Sequence, residues 1–329
     1  MSTAPKTTWS LGTSTVPQPG RGGIDVWRIN FPQPAPVVAA LRTVLSDEEV
    51  ARASRFVFPG DQAQYVVMHG ALRLLLAGLL RIDAMQIRFS ANENGKPFIA
   101  DFSPPHVPSS GSFNVPRNDQ PFVPRSDAND AATSMSGPKR DDFVPPIPDI
   151  APQFSISHTQ RIGLVAISLA PYYGPHYSNR PGQAARFEPD SFIESFEAFA
   201  PVGVDVEYIQ PEFPFEDIAD RYFPSAEAAA LRSLPVAEQR CAFFAAWVRK
   251  EAWVKAAGAG LDQLPSLDPG LAQSLDDGSL RKATDPRMGI ASVWLQDLEA
   301  GPSHTAALAV RGVPSVIRCI AWQVGTGYL

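Results

Sequence analysis

Arg240-Cys-Ala-Phe-Phe-Ala-Ala-Trp-Val-Arg-Lys-Glu-Ala-Trp-Val-Lys-Ala-Ala-Gly258 carries helical periodicity. It reads as most of the strongest helix in the chain, Glu238 to Ala257. Phe244, Trp247 and Val248 make one apolar stripe, and the next positions on it are Glu251 and Lys255. A carboxylate facing inward is costly unless it is paired or binds a metal. A Glu251–Lys255 salt bridge one turn apart, worth roughly 0.2–0.5 kcal/mol, would satisfy both residues. It does not explain why both prolong an apolar stripe.

Upstream, Val202-Gly-Val-Asp-Val-Glu207 reads as a strand. Val202, Val204 and Val206 face one way, Asp205 and Glu207 the other. Two carboxylates on one strand face, about 7 Å apart, repel each other unless a cation joins them. Mg²⁺ would accept an oxygen from each at about 2.1 Å and keep places for water and phosphate. The simpler alternative is a solvated face with two ordinary acids. Taken together, three acids and one lysine suit a Mg–pyrophosphate site better than a zinc hydrolase. The two Cys sit in apolar runs and read as core thiols and not as zinc ligands, which leaves oxygen-ligand metals as the candidates.

Around this pair the pattern is mixed. Ile24 to Asn30 alternates as a strand, and Ser46-Asp-Glu-Glu49 is a capping box opening a helix. A longer helix is expected from about Asp61 to Leu80, a short strand at Ile87 to Phe89, and turn chemistry from Asn92 to Pro97. Phe154 to Thr159 and Ile162 to Leu169 read as a hairpin. After the Asp205 strand come a short helix near Phe215 to Arg221 and a helix from Glu227 to Leu234, N-capped by Ser225. Three strands close the chain: Ala291 to Leu298, His304 to Val310, and Ser315 to Val324. The expected fold is α+β: two pseudo-equivalent halves, each a small mainly antiparallel sheet packed on a long helix, with the active site in the cleft between them. The boundaries are a flexible tail (1–23), an N-terminal half (24–170), an irregular linker (171–199) and a C-terminal half carrying the Mg site (200–329). Within the first half, residues 101–153 hold 11 of the 33 prolines and read as a disordered insertion.

Composition excludes several classes. A net charge of −6 with 44% hydrophobic residues is globular, and disfavours non-specific nucleic-acid binding. Cys241 and Cys319 lie in apolar runs and read as reduced core thiols. The most apolar run, Val66 to Ile82, is broken by His69, Arg73 and Arg81, so it reads as an amphipathic helix and not a membrane span. The N-terminal tail has no apolar signal region, and a cytoplasmic protein is expected.

Gly203-Val-Asp-Val-Glu207 followed by Trp247-Val-Arg-Lys-Glu-Ala-Trp-Val-Lys255 resembles the paired signature of the 4′-phosphopantetheinyl transferases, most closely their two-half, surfactin-synthetase-activating class. Asn94-Gly-Lys-Pro97, Phe154-Ser-Ile-Ser-His158-Thr159 and Arg221-Tyr-Phe-Pro-Ser225 with Glu227 are similar to further motifs of that class, in the same order. The resemblance implies Asp205, Glu207 and Glu251 as Mg²⁺ ligands, with Mn²⁺ able to stand in, and Glu251 also helping to deprotonate an acceptor serine. It places Lys255 against the phosphates, and Lys96, Pro97, Ser157 and His158 on coenzyme A. Arg52, Arg55 and Arg73 are offered to its 3′-phosphate. Glu49 departs from the lysine common in bacterial members, and the capping box accounts for it.

The implied activity is transfer of the phosphopantetheine arm of coenzyme A to a serine of an apo acyl or peptidyl carrier protein, releasing 3′,5′-ADP. A monomer is implied, with no nucleic-acid or membrane partner. Clients of this class include fatty-acid, polyketide and peptide synthetases and aminoadipate reductase. Two other readings use the same residues: a non-catalytic coenzyme A or carrier-binding module, and a Mg-dependent nucleotide phosphohydrolase. The phosphohydrolase leaves Ser157-His158 and Gly95-Lys96-Pro97 without a role. Replacing residues 101–153 by a short Gly/Ser linker is expected to leave transfer largely intact, because that composition buries too little apolar surface to order. Loss of transfer with the fold preserved would place the insertion at the site.

Overall fold

A computed structural model describes residues 9–11, 22–101, 151–172, 198–260, 264, 280–285, 290–312 and 314–323. Most of the Pro-rich insertion and of the 171–199 linker lies outside these residues. The first half holds β1 (Ser10–Leu11), β2 (Gly23–Asn30), α1 (Ala35–Arg42), α2 (Asp47–Ala53), α3 (Pro59–Leu80), β3 (Phe89–Ala91), β4 (Pro97–Ile99), β5 (Gln153–His158) and β6 (Ile162–Ser168). A small ribbon, β7 (Pro171–Tyr172) with β8 (Ala198–Phe199), leads into the second. There follow β9 (Val202–Tyr208), α4 (Phe215–Tyr222), α5 (Ser225–Ser233), α6 (Val236–Ala257), β10 (Arg281–Asp285), β11 (Ile290–Leu298), β12 (His304–Val310) and β13 (Val316–Ala321).

The protein is α+β, and its two halves each pack one long helix on one sheet. The strand order is β1-β13-β2-β6-β5 in the first sheet and β10-β11-β12-β9 in the second. Strand alternation builds three cores from these layers. Trp27 and Ile29 of β2 and Val165 and Ile167 of β6 face α3. Their neighbours Ile24, Val26, Leu164 and Ala166 meet Val202, Val204 and Val206 of β9 between the sheets. On the far side of the second sheet, Ala307 and Ala309 of β12 pack on Val248, Ala252 and Trp253 of α6. Long apolar α3 has the length and composition of a membrane span, but 67% of its most apolar window is buried inside the protein.

The closing strand is the main surprise. Read from sequence as part of the C-terminal half, β13 instead joins the first sheet, parallel to β2. Arg318 fixes it there by donating to both oxygens of buried Asp25, at 2.7 Å each. The first sheet is therefore mixed and the second antiparallel. Strand periodicity locates a strand but does not name its partner.

Local corrections are smaller. The capping box is present: Ser46 Oγ accepts from the Glu49 N–H, and Glu49 accepts from the Ser46 N–H. Ser225 is not the cap of its helix. Pro224 occupies that position, so α5 starts without a side-chain cap. Cys319 is buried as expected, whereas Cys241 is exposed, because it falls on the outer side of α6. Helix α1 and strand β10 were not anticipated.

Gly203 makes the packing of the second half possible. A Cβ there would lie 1.9 Å from the Ala252 carbonyl oxygen and 2.4 Å from the Ala256 nitrogen. Backbone cannot give way as a flexible side chain can, so α6 would have to move off β9. Gly203→Ala is expected to destabilise the protein by about 3 kcal/mol or more in chemical denaturation. A loss below about 1 kcal/mol would mean that α6 can shift freely.

Candidate active site

Because Gly203 faces α6, so do Asp205 and Glu207 on the same side of β9. Glu251 and Lys255 come from α6 to meet them. Asp205 is 3% exposed. Its Oδ1 accepts hydrogen bonds from Ser157 Oγ and Lys255 Nζ, both at 2.7 Å. The buried Oδ2 has no hydrogen-bond partner among the described residues. Lys255 thus pairs across to Asp205 instead of along its helix to Glu251.

The two remaining acids are held partly uncharged. Burial, then repulsion from Asp205, raises Glu207 to about 7, with Glu251 adding to the effect and Lys255 opposing it. Burial, again followed by Asp205, raises Glu251 to about 6 against the pull of Lys255. Three carboxylates within one another's field and one buried oxygen without a donor form a donor set suited to a hard cation. Among the described residues they are not yet gathered into a closed metal cage. An ion would have to draw Glu207 and Glu251 in.

The other wall comes from the first half. Ser155 and Ser157 share a face of edge strand β5 and reach edge strand β9: Ser155 Oγ accepts from the Val204 N–H at 3.1 Å, and Ser157 binds Asp205. His158 stands at the exposed end of β5, its ring edge-on to Phe31. Burial of its inner side, then the charges of His69 and Lys255, lower its pKa, while Asp61 opposes them. Lys96 also crosses between the halves, donating to the Val202 and Ala256 carbonyls at 3.3 Å each. Burial, with a contribution from Arg311, lowers Lys96 to about 8. Pro97 follows it as the first residue of β4.

Residues 201–309 match the profile of the 4′-phosphopantetheinyl transferase superfamily, and residues 30–124 match that of the 4′-phosphopantetheinyl transferase N-terminal domain. The chain belongs to the 4′-phosphopantetheinyl transferase superfamily. Both profiles in tandem make it a two-domain member, and it is a transferase. It is similar to the 4′-phosphopantetheinyl transferase HetI of Nostoc sp., at 26% identity over 88% of each chain. The Synechocystis protein slr0495 is 23% identical over 76% of this chain and 70% of its own. A shorter stretch is 42% identical to the 4′-phosphopantetheinyl transferase psf-1 of Bacillus pumilus, over 19% of this chain and 26% of the relative.

Of the transferase's residues singled out from sequence, the fold brings Asp205, Glu207, Glu251, Lys255, Ser157 and His158 near one another where β5, β9 and α6 meet. The three arginines do not form a single cluster. Arg52 and Arg55 are exposed, with Arg52 over the Tyr65 ring. Arg73 is 2% exposed. It donates to Glu49 at 2.6 Å and to the Ala84 and Ile87 carbonyls at 2.6 and 3.0 Å. A guanidinium so enclosed ties α3 to α2 and is not presented to a phosphate. Glu49 is the other half of this arrangement. Burial opposes its ionisation, but hydrogen bonds from His69, the Ser46 N–H and Arg73 outweigh it and hold the carboxyl at about 2.

Sequence reading missed a second ionic anchor beside Glu251. Lys250 and Glu227 are both fully buried and pair at 2.6 Å, with the Lys250 ammonium above the Phe223 ring. This pair pins α5 to α6. Breaking one side of such a pair typically costs about 3–5 kcal/mol. The signal was available, because Lys250 continues the buried stripe Phe243–Ala246–Trp253–Val254.

The raised acids give the metal-free transferase a pH-dependent stability. A carboxylate whose folded pKa exceeds its unfolded value favours the fold when protonated. Stability therefore falls as pH rises from about 4.5, the unfolded value, through about 7, the folded value of Glu207. In chelator, Glu207→Gln is expected to flatten that decline and to be at least as stable as the wild type at pH 7.5. Denaturation midpoints measured across the window check this; an unchanged decline would mean that Glu207 is not the titrating group.

Proposed function

We propose that the protein transfers the 4′-phosphopantetheine arm of coenzyme A to a serine of an apo acyl or peptidyl carrier protein, in a Mg²⁺-dependent reaction releasing 3′,5′-ADP. The observation that carries this reading is Asp205, a buried carboxylate with one oxygen held by Ser157 and Lys255 and the other without a donor among the described residues. Asp205, Glu207 and Glu251 are the residues that would hold the ion. When bound, Mg²⁺ would neutralise charge on the pyrophosphate.

The chain's own groups account for the rest. The serine Oγ attacks the phosphorus that bears the pantetheine arm, and the bond from that phosphorus to the leaving 3′,5′-ADP oxygen breaks. Glu251, beside the site where the phosphates would lie, would be the group that takes the serine proton. Lys255 brings a positive charge beside the acids, where phosphate oxygens would lie. His158, Ser157, Pro97 and exposed Arg52 and Arg55 line the approach of the nucleotide. Orientation of serine and pyrophosphate is the main catalytic demand. Because a single chain supplies both walls of the cleft, a monomer suffices. A cytoplasmic location fits a substrate such as coenzyme A.

Coenzyme A, Mg²⁺ and an apo carrier protein, assayed by intact mass, provide the test. Glu251→Gln is expected to lower transfer at least about a hundredfold, the scale of losing one base or one electrostatic stabiliser. Asp205→Asn should behave similarly, and Mg²⁺ should stop raising the melting temperature of either variant. Normal transfer by folded Glu251→Gln would remove the central residue of this mechanism.

A further inference from the structure

Helix α6 carries Glu251 and Lys255, and its C-terminal end is closed from the opposite half of the molecule. A helix leaves its last carbonyls without intrahelical donors. Here Gly258, at φ +67°, ends the helix in a left-handed turn. The Gly258 and Ala259 N–H groups return to the Lys255 and Val254 carbonyls. The carbonyls of Ala256 and Gly258 are met by the turn between β3 and β4. Asn92 and Asn94 each donate a side-chain N–H to the Gly258 oxygen at 2.9 Å. Lys96 donates to the Ala256 oxygen and, at the same time, to the Val202 oxygen at the start of β9.

The turn is built to hold these donors. Asn92 Oδ1 accepts from the Asn94 and Lys96 N–H groups at 3.1 and 2.8 Å, and Gly95 takes φ +83°. This five-residue turn thus aims three side chains at the end of α6, next to its close approach to β9 at Gly203. Lys255 lies in that same last turn of α6. Its ammonium must reach Asp205 Oδ1, so any fraying of the turn displaces it.

We propose that the Asn92–Lys96 turn is a latch between the two halves: it caps α6 in trans and positions Lys255 for transfer. Asn92 and Asn94 are positioning residues, because they act on the helix end and not on the reacting atoms. The effect on transfer rests on the function proposed above; the cap itself does not. A coenzyme A contact at this turn makes the opposite prediction, namely a loss of cofactor affinity with no change in the free protein.

Asn94→Ala separates these cases, since it removes one donor to Gly258 and leaves the Asn92 bonds that shape the turn. In the full-length protein without ligands, hydrogen exchange of the amides at residues 255–259 should quicken about fivefold, the loss of one hydrogen bond at about 1 kcal/mol. Exchange in α3 should not change. In the carrier-protein assay, kcat should fall several-fold while KM for coenzyme A stays within twofold. Asn94→Gln, which keeps an amide, should recover part of the kcat. Unchanged exchange at 255–259 would overturn the latch, and so would weaker coenzyme A binding with unchanged exchange. If the wild type transfers nothing to any carrier, the proposed function fails, while the exchange result still decides the cap. Should Asn94→Ala fail to fold, exchange in Lys96→Met, which keeps the length of the chain but loses the ammonium, decides it in the same way.

Discussion

The carboxylate of Asp205 governs the arrangement. It is buried, so its charge must be answered, and the donors that answer it come from different parts of the chain: Ser157 from β5 and Lys255 from α6. A strand of one half, a strand of the other and the long helix are thereby fixed to one oxygen atom. The second oxygen has no donor among the described residues, which leaves a place for a positive charge at that point. Burial, and then the charge of Asp205, make Glu207 and Glu251 hold their protons to higher pH. A site tuned in this way is unfavourable to the empty fold and favourable to a cation, which is the usual relation between stability and function at a catalytic centre.

The surrounding structure compensates for that strain in the ordinary ways. Three apolar cores stack through the molecule, and strand alternation feeds both faces of each sheet. Buried charges away from the cleft are paired closely: Lys250 with Glu227, Arg249 with Asp297, Arg73 with Glu49 and Arg318 with Asp25. Two of them tie consecutive helices, α5 to α6 and α2 to α3, while Arg249–Asp297 and Arg318–Asp25 join elements distant in sequence, the latter holding β13 in the first sheet. A cation buried beside its partner specifies where an element sits, even where it adds little net stability. At the cleft, by contrast, one oxygen of Asp205 has no hydrogen-bond partner among the described residues.

The halves meet at two strand edges bridged by side chains. Ser155 and Ser157 serve β9 where a neighbouring strand would otherwise supply backbone partners. A serine hydroxyl can both donate and accept, so the same short side chain suits an amide at one position and a carboxylate two residues later. That gives the Phe154–His158 motif a structural meaning, as a bridge between the two halves.

Periodicity and chemistry along the chain were enough for much of this. The acids on β9, the stripe on α6 ending in Glu251 and Lys255, the Ser46–Glu49 capping box and the α+β character could all be read locally, because a residue's face depends on its own neighbours in sequence. Motif order then pointed to the family. What could not be read were pairings. Lys255 has Glu251 one turn away, yet bonds to Asp205; Arg73 has the charge of a phosphate ligand, yet is enclosed by Glu49 and two carbonyls; β13 has the pattern of its preceding strands, yet joins the other sheet. The sequence by itself determined which side chains face which way. Only the tertiary structure decided which of them meet, because partners of a buried charge or an edge strand are chosen by proximity across the fold, and that proximity has no local signature.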